Sequence, residues 1–419
     1  MSKPPLLFLS HRIPYPPNKG DKIRSWHLLD FLSKHYTVFL GTFVDDVDDW
    51  QYTATLEGVC SQCHFVPLNA LSAKLKSLRG LLNGRPLSES YYASSALSDW
   101  VKKTCLEHNI TRAVAFSSPM TQFVVDDMAP WTHRILDLVD VDSYKWIQYA
   151  DSKPWPLSWL YRREGNMLLR FEADAAGRFD HSLLVSAPEA ELFRRLAPQV
   201  AVKTRVIANG VDIEFFKADR NLPNPYPQGS RIIVFTGAMD YWPNIDAVCW
   251  FAREVFPKLL ENEPSLYFYV VGSNPSRTVK DLANKNSRIV VTGRVSDVRP
   301  YVQYADVSVA PLRIARGIQN KVLEAMALET PVIVSQEGLD GIDAAHGDGV
   351  LVATTVENHI RFVGEVLEGY HPELGVRGRA AVTKGFCWQN NLSALLPLLE
   401  ENYSSTGDPY AGIGTFRLG

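Results

Sequence analysis

One stretch of this chain leaves few choices of fold: Asp306 to Ser335, DVSVAPLRIARGIQNKVLEAMALETPVIVS. A β-branched run ends at Pro311, Gly317 breaks the chain, Lys321 to Leu328 is rich in helix formers, and Thr330 to Ser335 is β-branched again. This is a strand, loop, helix, strand unit of an α/β sheet. Its loop lies at the carboxyl end of the first strand, where open α/β sheets bind ligands, and feeds a helix whose first amides are unpaired. An anion belongs at such an end. Arg316 in the loop and Lys321 in the first turn add formal positive charge, which suits a diphosphate better than a single carboxylate. Glu324 falls on the same helix face as Lys321, beneath that pocket, and is placed to accept hydrogen bonds from a sugar diol. The competing reading of Lys321 and Glu324 is a solvated ion pair on a surface helix.

From the amino terminus, Leu6 to Ser10 reads as a buried strand followed by HRIPYPPNKGDKIR, in which prolines 14, 16 and 17 forbid helix, Gly20 allows a tight turn and Asp21 caps a helix to about His35. This too is a strand end facing a helix start, with Lys19, Lys22 and Arg24 around it as cations for an oxygen-rich ligand. Further strands are expected at Tyr36 to Phe43, Ala113 to Phe116, Arg134 to Val139, Leu183 to Ser186 and Val206 to Ala208. Asp137, Asp140 and Asp142 are expected on one face of their strand, where they need partners. Cys60 and Cys63 have a metal or redox spacing with no second pair, so structural cysteines are the better reading. Leu68 to Asn83 is an amphipathic basic helix that suits an anionic membrane surface or ordinary packing. The aromatic and basic mixture KPWPLSWLYRR suits an interface with headgroups or the rim of a core.

NGVD at Asn209 to Asp212 and the proline-rich Asn221 to Gly229 are poor at continuing an element. Beyond them come strand Ile232 to Thr236, with Gly237 in its turn, and strands Leu266 to Val271 and Arg288 to Thr292, ending at Gly272 and Gly293, which let a flat base approach backbone. A helix is expected from about Asn244 to Leu260, and a last one over Phe386 to Asn402. Strands alternate with helices throughout, as in doubly wound α/β domains.

The chain's 419 residues exceed one ordinary core, so two domains are expected, and 46% hydrophobic residues can fill both. A net charge of −3, split as +2 over residues 1–210 and −5 over the remainder, offers no basic field for nucleic acid. Five cysteines suggest a reducing compartment, and no apolar run reaches transmembrane length, nor does MSKPPLLFLSHR carry a signal-peptide core. A cytoplasmic protein is expected.

The run ARGIQNKVLEAMALETPVIVS, with NGVD and with FTGAMDYWPN at Phe235 to Asn244, resembles the retaining GT-B glycosyltransferases of glycosyltransferase group 1 (GT4-like), in the branch of bacterial surface and exopolysaccharide sugar transferases. The resemblance covers nearly the whole chain. It departs at Arg316, where the commonest pattern has a first glutamate; a branch of the family has Arg, Gly and Lys before the glutamate, as here. The resemblance implies two Rossmann-like domains facing across a cleft: residues 1–212 on the acceptor side, 213–385 binding the nucleotide sugar, a carboxyl-terminal helix at 386–403 crossing back, and a tail at 404–419.

For the donor it implies Gly237, Gly272, Gly293, Arg294, Val295, Gly317, Ile318 and Glu324, and for phosphates and acceptor the loop of Lys19, Gly20 and Asp21. It places a residue touching the donor sugar after the strand ending at Val139, where Asp140 and Asp142 are the candidates, and it makes Arg316 and Lys321 the groups that neutralise the leaving diphosphate. No Asp-x-Asp motif sits at a strand end of the second domain, so no metal is expected to bridge the diphosphate. The expected partners are a UDP- or GDP-sugar and a glycan or lipid-linked acceptor, with peripheral contact at the cytoplasmic face of the inner membrane. A nucleotide-sugar epimerase using Asp140, Asp142 and His11, or a non-catalytic GT-B binding subunit, are the alternatives.

Overall fold

A computed structural model describes residues 3–17, 20–77, 80, 84–126, 129–151, 154–315, 318–342 and 344–400. Seven strands of the first half, β1 (Pro5–Ser10), β2 (Thr37–Val44), β3 (Gln62–Pro67), β4 (Arg112–Phe116), β5 (His133–Val139), β6 (His181–Leu184) and β7 (Thr204–Val206), pair in parallel in the order β3-β2-β1-β4-β5-β6-β7. Six more, β8 (Arg231–Thr236), β9 (Leu266–Val271), β10 (Ile289–Gly293), β11 (Val307–Ala310), β12 (Val332–Val334) and β13 (Leu351–Val352), form a second parallel sheet in the order β10-β9-β8-β11-β12-β13. The apolar runs predict the strands because parallel sheets are covered on both faces; Leu6 to Leu9 and Ile232 to Phe235 are almost wholly buried.

Both sheets reverse winding direction once, between β1 and β4 and between β8 and β11, and those reversals open the crevices in which doubly wound sheets hold ligands. The helices that matter for the site are α1 (Gly20–His35), α2 (Ala70–Ser77), α3 (Asp142–Asp151), α4 (Leu157–Arg178), α5 (Trp242–Trp250) and α6 (Asn320–Ala327). Two short carboxyl-terminal helices, α7 (Trp388–Ser393) and α8 (Leu395–Glu400), return to the first domain: Trp388, Leu392, Leu395 and Leu399 share a core with Leu6, Phe8 and Leu28. The chain crosses between sheets at Asn209 to Asp212, where Val211 bridges Cys387 and a side chain on Gly210 would meet the Trp388 amide at 2.5 Å. Together the two sheets and the returning helices make a GT-B fold.

Several expectations change. Asp21 lies inside α1, which begins at Gly20, and its carboxylate accepts from Arg12. Asp137, Asp140 and Asp142 do not share a strand face: Asp137 and Asp140 are an odd number of positions apart, and β5 ends at Val139. Asp137 is fully buried against Arg24, while Asp140 and Asp142 flank the start of α3. Of the Leu68 to Asn83 segment, α2 is helical with Leu71 and Leu75 exposed, and residues 78, 79 and 81–83 lie outside the described residues. All five cysteines are free, and no trio of metal-binding side chains converges among the described residues.

Candidate active site

The second domain brings Lys321 and Glu324 to the winding reversal, on the helix that follows β11. Lys321 occupies the first turn of α6, and Gln319 at its N-cap makes no side-chain cap hydrogen bond. The ammonium reaches back over the end of β8, donating to the Asn244 side-chain oxygen at 2.5 Å and lying 4.5 Å from the centre of the Phe235 ring. Asn244 is itself fixed by donating to the Ala238 carbonyl at 2.9 Å. Glu324, one turn on, makes no hydrogen bond or ion pair with any described residue, so the surface ion-pair reading of Lys321 and Glu324 does not hold. Burial pushes the Lys321 ammonium down to about 8 against the pull of Glu324, and burial pushes the Glu324 carboxyl up to about 7 against the pull of Lys321. The two groups are largely removed from water, feel each other's charge, and make no salt bridge among the described residues.

The three strand-end glycines form a row at the carboxyl edge, and each is small for its own reason. A Cβ on Gly237 would stand 2.8 Å from the Asn244 side-chain nitrogen and 3.2 Å from the Lys321 ammonium. On Gly272 it would collide with the Gly237 carbonyl at 1.6 Å, so this residue makes room for backbone rather than for a base. Only Gly293, with φ +71° and nothing within 4 Å of a Cβ position, leaves open space of the kind a base needs. Arg294 beside it is exposed, whereas Val295 packs against Ile232, Val234 and Val271. Ile318 leans on the apolar cluster under α6. Arg316 and Gly317 lie outside the described residues, as does Lys19.

The first domain's facing edge is a network of paired charges. Arg12 donates to Asp21 at 2.7 Å and to Asp45 at 3.0 Å, and His11 stands 3.5 Å from the same Asp21 carboxylate. Although burial opposes it, the His11 contact and the Arg12 charge hold the Asp21 carboxyl well below the usual carboxylate range. Lys22 and Arg24, expected to surround a ligand, are buried and committed: Lys22 to Asp49 at 2.5 Å, Arg24 to Asp137 at 2.9 Å. Arg24 also donates to the Ile207 carbonyl and to Asn209, tying α1 and β5 to the crossing between domains. Gly20, at the start of α1, is exposed with nothing within 4 Å of a Cβ position.

At the end of β5 the backbone is strained. Val139 has φ +68°, a value that a β-branched residue rarely adopts. Asp137 accepts from its amide at 3.0 Å, and Glu189 accepts from the Val141 amide at 2.8 Å, so the turn is held from both sides. Asp140 and Asp142 then share Lys145, at 2.8 and 3.1 Å. Burial works against the Lys145 ammonium, but Asp142 and Asp140 raise it above its ordinary value. Behind them Glu172 is buried, accepts from the Ser143 hydroxyl at 2.6 Å, and is pushed by burial up to about 8. Asn244, Phe235 and Lys145 were not singled out from the sequence. A polar residue just inside a helix behind Pro243 was the signal available for Asn244, and Lys145 stands at helical spacing from Asp142.

Residues 230–368 match the family model described as glycosyl transferases group 1. That stretch contains the second sheet, α6 and the row of glycines. No curated protein sequence matches the chain significantly. Among solved structures, a sucrose-phosphate synthase from Thermosynechococcus elongatus is similar at 17% identity and TM-score 0.62, covering 94% of this chain and 98% of that one. Anabaena Alr3699/HepE, solved in complex with UDP-glucose, is similar at 15% identity and TM-score 0.61, over 94% of this chain and 99% of that one. WaaG, a glycosyltransferase involved in lipopolysaccharide biosynthesis, is similar at 14% identity and TM-score 0.62, again over 94% and 99%. The fold is the one these GT-B glycosyltransferases have. Within that fold, residues 230–368 match the glycosyl transferases group 1.

Proposed function

We propose that the protein moves a sugar from a nucleoside-diphosphate donor, UDP- or GDP-linked, to a glycan or lipid-linked glycan acceptor with retention at the anomeric carbon. Its place is surface or exopolysaccharide biosynthesis, in the cytoplasm or at the cytoplasmic face of the inner membrane. The observation that carries this reading is Lys321: a half-buried cation whose hydrogen-bond and ring partners among the described residues are neutral, in the first turn of α6 over the end of β8. A diphosphate there meets the ammonium and the first amides of α6, with Arg316 from the adjoining loop as a second cation. Glu324, whose side-chain oxygens have no hydrogen-bond partner among the described residues, accepts the hydroxyls of the donor's ribose, and Gly293 leaves the base its approach. HepE, solved with UDP-glucose, and WaaG, involved in lipopolysaccharide biosynthesis, share the fold and support a nucleotide-sugar donor and a surface-glycan acceptor.

As the sugar–phosphate bond breaks, charge gathers on the leaving diphosphate, and Lys321 and Arg316 stabilise it without a metal. The leaving phosphate takes the proton of the attacking hydroxyl on the same face, so no protein base is required. Asp140, held by Lys145 at the end of β5, faces the donor sugar from the first domain. Incubation with a panel of UDP-, GDP- and ADP-sugars tests this. Slow release of nucleoside diphosphate from one donor is expected, and Glu324→Ala should weaken donor binding by about 1.5–3 kcal/mol. Epimer formation without release, or binding without turnover, would replace the transferase reading with an epimerase or a binding subunit. Unchanged donor affinity in Glu324→Ala would remove Glu324 from the site.

A further inference from the structure

The loop after β8 holds two large aromatic side chains half out of the protein. Tyr241 and Trp242, consecutive at the start of α5, are 55% and 54% exposed. The loop that carries them is firmly anchored. Met239, two positions earlier, is buried in the core with Phe235; its amide donates to the Ser273 carbonyl at 2.8 Å and its carbonyl accepts from the Ser276 amide at 3.2 Å. On the other side the Tyr241 carbonyl accepts from the Asn244 and Ile245 amides at 3.0 and 3.2 Å, and Pro243 is buried. Two aromatic side chains held out on a fixed backbone lose little freedom when something covers them, which is the make-up of a recognition surface.

The pair borders the donor site. Asn244, whose amide is bonded to Tyr241, holds the Lys321 ammonium through its side-chain oxygen, so one helical turn separates the aromatic residues from that contact. The adjoining loop after β11 is held against α5 by Arg313, which donates to Asp246 at 2.9 Å, and carries the 46% exposed Ile314. Hydrogen-bonding groups stand next to the pair in the same loops: the exposed Asp240 accepts from the Asn274 side chain at 3.1 Å. Aromatic surface with polar groups at its margin matches a pyranose, which presents C–H bonds on one face and hydroxyls round its edge.

We infer that Tyr241 and Trp242 bind a sugar ring of the acceptor glycan, its C–H face lying on aromatic surface and its hydroxyls meeting Asp240 and Asn274. The inference deepens the proposed function and rests on it: the donor's phosphates, ribose and base have their places at Lys321, Glu324 and Gly293, so a sugar on the exposed rim is the one that arrives from solvent. There it stands beside the diphosphate whose departure it must meet. A protein partner fits less well, since a stable interface takes roughly 800 Å² from each side and this rim offers two rings. An anionic bilayer fits less well because the exposed charge directly before the pair is the acidic Asp240.

Saturation-transfer NMR on the full chain, with whichever of UDP and GDP stabilises it, tests this against the methyl glycosides of glucose, galactose and mannose in both anomeric forms. At least one glycoside is expected to take up saturation, most strongly at its ring C–H protons. Tyr241→Ala with Trp242→Ala should lower that signal about tenfold, the scale of losing aromatic contacts of this kind, whereas Trp242→Phe should keep most of it. Thermal stabilisation by the nucleotide should match the wild type in every variant, which reports folding and the phosphate site separately; should the double variant fail to fold, Trp242→Ala alone decides. No saturation of any glycoside by the wild type, or an unchanged signal in the alanine variants, overturns the inference. So does a double variant that loses affinity for the nucleotide sugar in place of the glycoside, which would give the rings to the donor's own sugar, and so does a wild-type dimer that the double variant dissociates. Nucleotide stabilisation without glycoside contact would sink this inference and leave the donor reading standing. Glycoside contact at the rings without stabilisation by either nucleotide would do the opposite.

Discussion

The two domains present charged residues at the same place, the carboxyl edge of a parallel sheet beside a winding reversal, and treat them in opposite ways. In the first domain the charges at that edge are mostly paired: Lys22 with Asp49, Arg24 with Asp137, Lys145 with Asp140 and Asp142, the buried Glu172 behind them being the exception with its Ser143 hydroxyl. In the second, among the described residues, Lys321 has the Asn244 amide oxygen and the Phe235 ring as contacts, and Glu324 has no hydrogen bond or salt bridge from its side chain. Charge removed from water needs compensation, so a pair that supplies it internally holds the fold together, and a group left short of it is prepared for a ligand. The abundance of cations in the first loop was therefore the weaker guide to binding. What distinguishes Lys321 is what it lacks.

The largest test of this contrast is Arg24→Ala. It strands Asp137, whose carboxyl burial already pushes upward despite Arg24, and cuts the tie to Ile207 and Asn209. Loss of one member of such a pair costs about 3–5 kcal/mol. Urea unfolding should show that loss, and a variant within about 1 kcal/mol of the wild type would mean that the first domain's pairs are not what holds it.

Next in size is Lys321→Ala, which the comparison places on the other side. A cation in the first turn of α6 opposes the helix dipole by up to about 1 kcal/mol, so the variant should melt at or slightly above the wild-type temperature without ligand. Turnover should fall by about 10²–10³-fold, the scale for removing one donor to developing negative charge. The stabilisation that UDP, GDP or ADP gives the wild type should shrink, while the nucleoside without phosphates stabilises both alike. A variant that is less stable and still fully shifted by diphosphate would make Lys321 structural.

The fold was legible because hydrophobic runs and breakers are local. Leu266–Val271 reads directly from its β-rich sequence, and the unit around Lys321 carries strand, break and helix signals within 30 residues. Partnerships across long separations were not legible. Nothing near Arg24 marks a contact 113 positions away at Asp137, so a cation beside a proline-rich loop looked available when it was buried. The same limit hid Asn244, which meets Lys321 from 77 positions away. Period counting failed twice here: Asp137 and Asp140, three positions apart, fall on opposite faces of any strand, and β5 stops at Val139, in a left-handed conformation that a β-branched residue does not advertise. For Gly272 the residue type was informative and the reason was not: its smallness serves the Gly237 carbonyl.

The smallest effect, and the one that separates the two kinds of charge most directly, is in the dependence of stability on pH. Glu324 goes from an ordinary value of 4.5 to about 7 on folding, so between those values the folded protein holds a proton that the unfolded chain has released, and stability falls as pH rises. Lys321 goes from 10.5 to about 8, so between about 8 and 10.5 the unfolded chain holds the extra proton and stability rises with pH. The unliganded protein should thus carry, from this site, a shallow minimum between about pH 7 and 8, where both groups are charged. Asp21 has the opposite sign: held low by His11 and Arg12, it stabilises the fold above its ordinary value of 3.8 and that contribution is lost only in strong acid. Melting curves across pH should show the falling limb disappear in Glu324→Gln and the rising limb disappear in Lys321→Met. Stabilisation by UDP should decline above about pH 8 in the wild type, as Lys321 gives up its proton, and show no such decline in Lys321→Met. Limbs that persist in both variants would mean that Lys321 and Glu324 keep ordinary values in the folded protein, and the contrast between paired and unpaired charge would lose its basis at this site.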